Sequence, residues 1–277
     1  AMADGNLDQR VSVNGPEELE RLARAFNFMA ERISKVMGDQ RAFVANAAHE
    51  LRTPLTSIRL RVEALRSGAK DDATVADQFL ADIESETDRL ARLVDELLDL
   101  SRIETGLIAP RRAPVAVEKI ARAVVSDLTT RADAAGVQIA YSPSANLPGV
   151  TADPDQIRRV FINLVDNAIK YTPRGGKVQV ELGTITGRQS YRLRAGNWVV
   201  TTVRDNGVGI PAEDLPRIFE RFYRSDKART HDAGEQSGSG AGLGLAIVKG
   251  IVEAHAGQVW AESAAGKGTA ITFALPV

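Results

Sequence analysis

The sequence predicts an α+β chain in two parts: a helical hairpin that pairs with a second copy into a four-helix bundle, then an α/β sandwich of one sheet under one helical layer. Three patterns predict this. Apolar residues recur at helical spacing through the N-terminal third. A polar turn, Ser67-Gly68-Ala69-Lys70-Asp71-Asp72, splits that helical run in two. Beyond Pro114 the pattern changes to short strands mixed with helices, without the regular βαβ repetition of a parallel sheet.

The chain opens on a polar connector, and Gly15-Pro16 break it before the first helix. Pro16 suits a first turn, where its missing N–H costs nothing, and Glu17 and Glu18 favour the positive end of the helix dipole. Leu19, Leu22, Phe26, Met29, Ile33 and Val36 follow at steps of 3, 4, 3, 4 and 3, a coiled-coil seam. A surface helix packed on its own domain is the alternative. The narrow stripe, kept for several turns, favours a parallel dimer. Gly38 interrupts the heptad, and the stripe restarts at Phe43 slightly out of phase, as in a stutter.

The stretch Phe43 to Leu55, FVANAAHELRTPL, is the centre of the first part. Phe43, Ala47 and Leu51 recur every fourth residue, and Val44, Ala48 and Leu55 broaden the apolar stripe. His49 and Glu50 sit side by side near its margin, and Thr53 lies one turn beyond His49 on the same face. Pro54 removes an N–H and pushes on the preceding turn, so a bend is expected there. A lone histidine on a helix is more often structural than reactive. Here a neutral imidazole nitrogen can act as a nucleophile if Glu50 takes the proton from the other nitrogen.

The helix runs on through Ile58, Val62 and Leu65. After the polar turn a second helix is expected from Phe79, Leu80, Ile83, Leu90, Leu93, Val94, Leu97, Leu98 and Leu100, ending near Gly106. One αα-hairpin has too little to pack against, so two should pair. Residues 108 to 114, with Pro110, Arg111, Arg112 and Pro114, read as a linker. Helices are expected over 120–135, 154–170 and 243–256, and strands over 137–141, 178–182, 198–204, 258–261 and 269–275. Residues 183 to 197 read as a hairpin loop.

Bulk properties exclude several classes. The 277 residues carry a formal net charge of −1, which gives no electrostatic reason to expect nucleic-acid binding. There is no cysteine, so disulfides and thiolate metal sites are excluded. The three histidines, His49, His231 and His255, lack metal-ligand spacing. No apolar run is long enough to cross a bilayer and no signal peptide is read, so the chain as given is expected to be soluble. Ala1-Met2 read as an expression remnant, and the natural protein is expected to continue upstream.

The second part holds a polar constellation. Asn163, Asn167 and Lys170 share one face of an apolar helix. They are either solvated surface residues or a site in which two amide oxygens hold a hard cation while Lys170 meets phosphate. Tyr171 offers an aromatic face for a base. Asp205-Asn206-Gly207-Val208-Gly209 follows a strand; it is a plain turn or a carboxylate able to accept from an exocyclic amine, with glycines that allow close approach. Ser237-Gly238-Ser239-Gly240-Ala241-Gly242-Leu243-Gly244-Leu245 runs into a helix whose first amides can bind phosphate. It lacks the Lys-Ser/Thr of a Walker loop.

The order and spacing of these pieces carry a resemblance. HELRTPL resembles the H-box of sensor histidine kinases. Asn163 to Tyr171, Asp205 to Gly209, Phe219 to Phe222 and Gly240 to Leu245 are similar to the N, G1, F and G2 boxes of the Bergerat-fold ATP-binding domain of those kinases. Gly266 to Thr269 with Phe273 to Pro276 looks like that family's last strands. The segment GNLDQRVSVNGPEELERLARAFNFMAERI resembles the second half of a HAMP linker. The resemblance covers nearly the whole chain and divides it at 1–37, 38–107, 108–114 and 115–277: HAMP-like segment, dimerisation and histidine-phosphotransfer hairpin, linker, and catalytic domain.

The resemblance also implies roles. His49 is the phosphoacceptor, Glu50 its base, and Thr53 positions water for dephosphorylating a partner. Asn167, supported by Asn163, holds Mg²⁺. Lys170 contacts phosphate, Tyr171 packs on adenine, and Asp205 accepts from the adenine amine beside Gly207 and Gly209. Gly240, Gly242, Leu243, Gly244, Leu245 and Thr269 complete the ATP site. Residues 211 to 241 form a lid, with Arg224 a candidate for the γ-phosphate. Ala241 stands where the family often has a hydroxyl residue. The implied activity is ATP-dependent autophosphorylation of a homodimer, transfer to an aspartate on a response regulator receiver domain, and phosphatase activity toward it. The alternative is a dimeric ATP-binding scaffold acting mainly as a phosphatase. The expected place is the cytoplasmic side of a membrane, held there by a sensor segment upstream.

Overall fold

The computed structural model describes residues 10–13, 16–105, 110–187, 192–224 and 240–277. The chain divides into two units, residues 1–87 and 88–277.

In the first unit, helix α1 runs unbroken from Glu17 to Arg66, through Gly38 and through Pro54. A mid-helix glycine costs only about 1 kcal/mol relative to alanine, so the flanking turns carry the helix across it. Pro16 precedes the first turn and Glu17, Glu18 and Glu20 occupy it, as the dipole favours. The seam residues Leu19, Leu22, Met29, Ile33 and Val36 are exposed on the single chain. The small residues Ala23 and Ala30 are buried instead. Beside them the Asn27 side chain bonds both backbone groups of Val11, accepting from its N at 2.9 Å and donating to its O at 2.8 Å. Asn27 therefore lays the preceding connector along the helix.

A tight turn at Gly68 (φ 121°) and a single 3-10 turn, Ala69–Asp71, reverse the chain. Asp72 then caps helix α2 (Ala73–Thr105), its Oδ1 accepting from Thr74 N at 3.0 Å and Val75 N at 3.3 Å. Arg61 of α1 pairs with Asp82 of α2 at 2.9 Å and fixes the hairpin's register.

The second unit begins within α2. Beyond it lie β1 (Ala113–Val115), α3 (Val117–Ala135), β2 (Gln138–Pro143), β3 (Val150–Ala152), α4 (Pro154–Lys170), β4 (Lys177–Thr186), β5 (Asn197–Asp205), α5 (Gly244–Ala254), β6 (Gln258–Ser263) and β7 (Thr269–Pro276). The main sheet has the order β2-β4-β5-β7-β6, parallel only between β2 and β4. The core explains its layering. Strand β4 buries Val178, Val180 and Leu182 at period 2, and α4 buries Ile157, Val160, Phe161, Leu164, Val165, Ala168 and Ile169 along one stripe. Phe161 meets Phe273 of β7 edge to face, with ring centroids 5.4 Å apart.

Two elements go beyond the sequence expectation. Strands β1 and β3 pair antiparallel in a separate two-stranded sheet. Ala113 and Pro114, read as linker, therefore belong to a strand. Arg111 and Arg112 are tied down as well: Arg111 N donates to Asp153 Oδ2 at 2.9 Å, and the Arg112 guanidinium donates to Ala254 O at 2.9 Å. Asp153 is a junction. Its Oδ1 caps α4 through Asp155 N and Gln156 N, and its own N donates to Nε2 of buried His255 at 3.0 Å. Of the expected lid, 211–224 is described as successive turns; 225–239 lies outside the described residues, as do the expected helix end at Gly106 and His231.

Candidate functional site

Helix α4, the turn after β5, the segment entering α5 and the start of β7 surround one cavity of about 310 Å³ in the second unit. Each wall has a local cause. On α4, Asn163, Asp166, Asn167 and Lys170 recur at steps of 3, 1 and 3, so the face beside the buried stripe turns polar residues toward the cavity. Val203 of β5 and Ile271 of β7 are directly opposed in the ladder and provide an apolar floor. Ile210 and Ile218 extend it.

Asp205 ends β5 at the cavity edge. Its Oδ1 accepts from Gly207 N at 2.8 Å and from Thr269 N at 3.1 Å, which locks the carboxylate in place. Burial pushes the Asp205 carboxyl above the usual carboxylate range; the two backbone amides and Arg204 oppose the shift. Gly209 holds φ at 66° while a Cβ there would lie 2.0 Å from Ala264 O, so only glycine lets this turn pass the β6–β7 connection. Gly207 is similarly crowded, by Tyr171 O.

At the other end, Gly240, Gly242 and Gly244 lead into α5, whose N-cap residue, Leu243, gives no side-chain cap bond. Its first amides are thus left for an anion. A Cβ at Gly244 would sit 3.3 Å from Asn163 Oδ1 and 3.9 Å from Asn167 Nδ2, so glycine keeps room for both amides. Asn163 Nδ2 is buried without a hydrogen-bond partner. Lys170 Nζ lies 4.9 Å from the centroid of the Tyr171 ring. Asp166 on the same face is pushed upward by burial, against the pull of Arg131, Lys170 and Arg92.

The first unit presents His49 exposed and Glu50 half-buried on α1. The Thr53 hydroxyl donates to His49 O at 3.2 Å, one turn back.

Comparison with known proteins finds three family matches along the chain. The histidine kinase-, DNA gyrase B-, and HSP90-like ATPase family matches residues 152–277, the His kinase A (phospho-acceptor) domain 39–106, and the HAMP domain 1–35. Sensor histidine kinase WalK of Bacillus subtilis (strain 168) is 38% identical over 242 residues, covering 87% of this chain. The chain belongs to the sensor histidine kinase family. It spans 37% of the length of that WalK relative. Among solved structures, histidine kinase ShkA in complex with AMPPNP is similar over 85% of this chain and 45% of its own, with TM-score 0.60 and 31% identity. Histidine kinase ThkA, in complex with response regulator protein TrrA, shares the fold over 89% of this chain and 63% of its own, with TM-score 0.63 and 24% identity.

Most residues singled out from sequence converge on the one cavity. Asn163, Asn167, Lys170 and Tyr171 line it from α4, and Asp205, Gly209 and Thr269 from the sheet side. Arg224, Gly240, Gly242, Gly244 and Leu245 line it from the lid side. Gly207 supports the wall through Asp205, and Leu243 is wholly buried in the core. His49, Glu50 and Thr53 belong to the first unit. Sequence reasoning did not single out Tyr223 or Glu96. Tyr223 lines the cavity, and its hydroxyl donates to Asp214 at 2.5 Å with Arg217 stacked 4.4 Å from the ring centroid. Its place directly after Phe222 was an available signal. Glu96 comes from α2, and nothing local marks it.

The donor set fits a magnesium nucleotide. Two amide side chains one helical turn apart beside a glycine, an ammonium, and helix amides without a side-chain cap suit a hard cation that brings its own phosphate oxygens and water. The apolar floor with a fixed carboxylate beside it suits a flat base bearing an amine.

Proposed function

We propose that the chain is an ATP-dependent protein-histidine autokinase that phosphorylates His49 and passes the phosphoryl group to an aspartate of a response regulator receiver domain. The observation that carries this reading is the Asp205 cavity: a base-sized apolar floor with a locked carboxylate at one end and helix amides with Asn163, Asn167 and Lys170 at the other. ShkA is itself in complex with AMPPNP and ThkA with a response regulator, which supports the ligand and partner classes.

The residues then act as follows. Asp205 Oδ1 is occupied by two amides, which leaves Oδ2 to accept from the adenine amine. Tyr171 and the Val203–Ile271 floor flank the base. Lys170, Arg224 and the α5 amides meet phosphate oxygens. Mg²⁺, when bound at Asn163 and Asn167, neutralises charge on the phosphates. A lone pair on one His49 nitrogen attacks the γ-phosphorus in line, the bond to the bridging oxygen breaks, and ADP leaves. Glu50 takes the proton from the other ring nitrogen. Such transfer depends on positioning and charge neutralisation more than on covalent help. Thr53, one turn from His49, supports a second activity in which it orders water to dephosphorylate the regulator.

The test is incubation with γ-labelled ATP. Label should enter the chain only with a divalent cation and then move onto a receiver domain whose acceptor aspartate is intact. A chain that binds no nucleotide and gains no label would overturn the proposal.

A homodimer is part of it. Val44 and Leu55 on α1 are each 60% exposed on the single chain, Val62 and Leu80 are also exposed, and the Leu19–Val36 seam is open. Contiguous exposed apolar stripes of this kind mark interaction surfaces. Light scattering at micromolar concentration should give twice the mass of one chain; one chain mass would exclude the four-helix bundle. Among the described residues no helix is long and apolar enough to cross a membrane. A place beside a membrane, held by a sensor segment upstream, is part of the proposal.

A further inference from the structure

Glu96 reaches the nucleotide cavity from α2, whereas the rest of its wall belongs to the sandwich and its loops. One turn on, Asp99 forms an ion pair with Arg159 of α4, and Arg159 also attracts Glu96 and Asp95. One further turn on, Ile103 sits against α5 at Gly250. A Cβ at Gly250 would lie 2.7 Å from Ile103 Cγ2, so the absence of a side chain there makes the seat. Residues 96, 99 and 103 are spaced 3 and 4 apart, so one face of α2 makes all three contacts.

Charge makes this contact sensitive. Burial works against both ions. It pushes the Glu96 carboxyl up, against Arg159 and Arg92 and together with Asp166, and it pulls Arg159 down, against Glu96 and Asp95. Neither is well solvated, so each depends on the other. Glu96 lines the cavity together with Asp166, Asn163, Asn167 and Lys170 of α4, the residues read to meet the polyphosphate. A polyphosphate arriving there adds negative charge beside a buried carboxylate that Arg159 and Arg92 attract.

The geometry points to a nucleotide-sensitive latch: the C-terminal part of α2 holds the catalytic domain through Asp99–Arg159 and Ile103–Gly250, and Glu96 releases it when nucleotide phosphates enter the cavity. The latch rests on the reading of that cavity as an ATP site. Nucleotide prefers the released state because Glu96 has withdrawn from its phosphates, which is the differential affinity that such a switch requires. The catalytic domain is thereby freed from α2 when it carries something to transfer.

The chain has no cysteine, which gives a clean test. Gly250 and Ile103 place their Cβ positions 3.8 Å apart, the separation of a disulfide. The double variant Ile103→Cys, Gly250→Cys should cross-link under diamide, and AMPPNP with Mg²⁺ should slow that cross-linking about fivefold or more. Adding Asp99→Arg should slow it without nucleotide, and Asp99→Arg with Arg159→Asp should restore it. Glu96→Gln should keep the cross-link and remove its response to AMPPNP. In the unaltered chain, amide hydrogen exchange of residues 96 to 103 should quicken when AMPPNP binds. No cross-link in a folded double variant, or a rate indifferent to Asp99 and Arg159, overturns the latch. So do an unchanged rate and unchanged exchange when calorimetry shows AMPPNP bound. If calorimetry shows no binding, the ATP-site reading fails, and the charge-swap arm still decides whether α2 is held.

Discussion

His49→Gln is expected to abolish all acid-labile, base-stable labelling from γ-labelled ATP while leaving nucleotide affinity unchanged. Glutamine keeps the length and polarity of the side chain but has no nitrogen lone pair basic enough to attack phosphorus. His49 is exposed on α1, so the substitution should cost little stability. The split matters: calorimetry reads the cavity of the second unit and labelling reads the first. Label that persists on the variant would move the phosphoacceptor elsewhere, and His255 is a poor substitute. It is 3% exposed, and both ring nitrogens are engaged, with Asp153 N and Ile251 O.

Asp205→Asn is expected to weaken ATP binding by ~1.5–3 kcal/mol, about ten- to a hundredfold, through loss of a hydrogen bond to a charged acceptor. The Asn oxygen can still accept from Gly207 and Thr269, so the turn should survive. The effect on stability should run the other way. Burial raises the folded pKa of Asp205 above its unfolded value, so the folded state holds its proton to higher pH. Stability from this group is therefore lost as pH rises through the folded pKa, and at neutral pH the ionised carboxylate is a burden that Asn removes. The variant should melt no lower than the parent above that window. In the parent, nucleotide affinity should fall on acidification at a higher pH than an ordinary carboxylate would give. Unchanged affinity in Asp205→Asn would remove the adenine contact from the proposal.

The sequence by itself determined most of the elements and many of the residues that line the cavity. Helix α4 has the expected limits, Pro154 to Lys170, because a 3.6-residue period, an Asp153 cap and a first-turn proline all agree on them. Asn163, Asn167, Lys170, Asp205 and the glycines before α5 were legible because their spacing on one helix face, or in one turn, already implies a shared direction. Strands β1 and β3 were not legible: three residues are too short for a period of two to show, and each is defined only by its partner. The tertiary structure alone decided what distant segments do together. It joined Arg111 to Asp153 and Asp153 to His255, more than forty and one hundred positions apart. It brought Glu96, a plain surface glutamate by local pattern, to the cavity beside Asp205 and α4, and made Gly250 a seat for Ile103 instead of a weak point in α5. Local periodicity encodes which way a side chain faces, but the electrostatic partner and the free volume it meets exist only once the layers have packed.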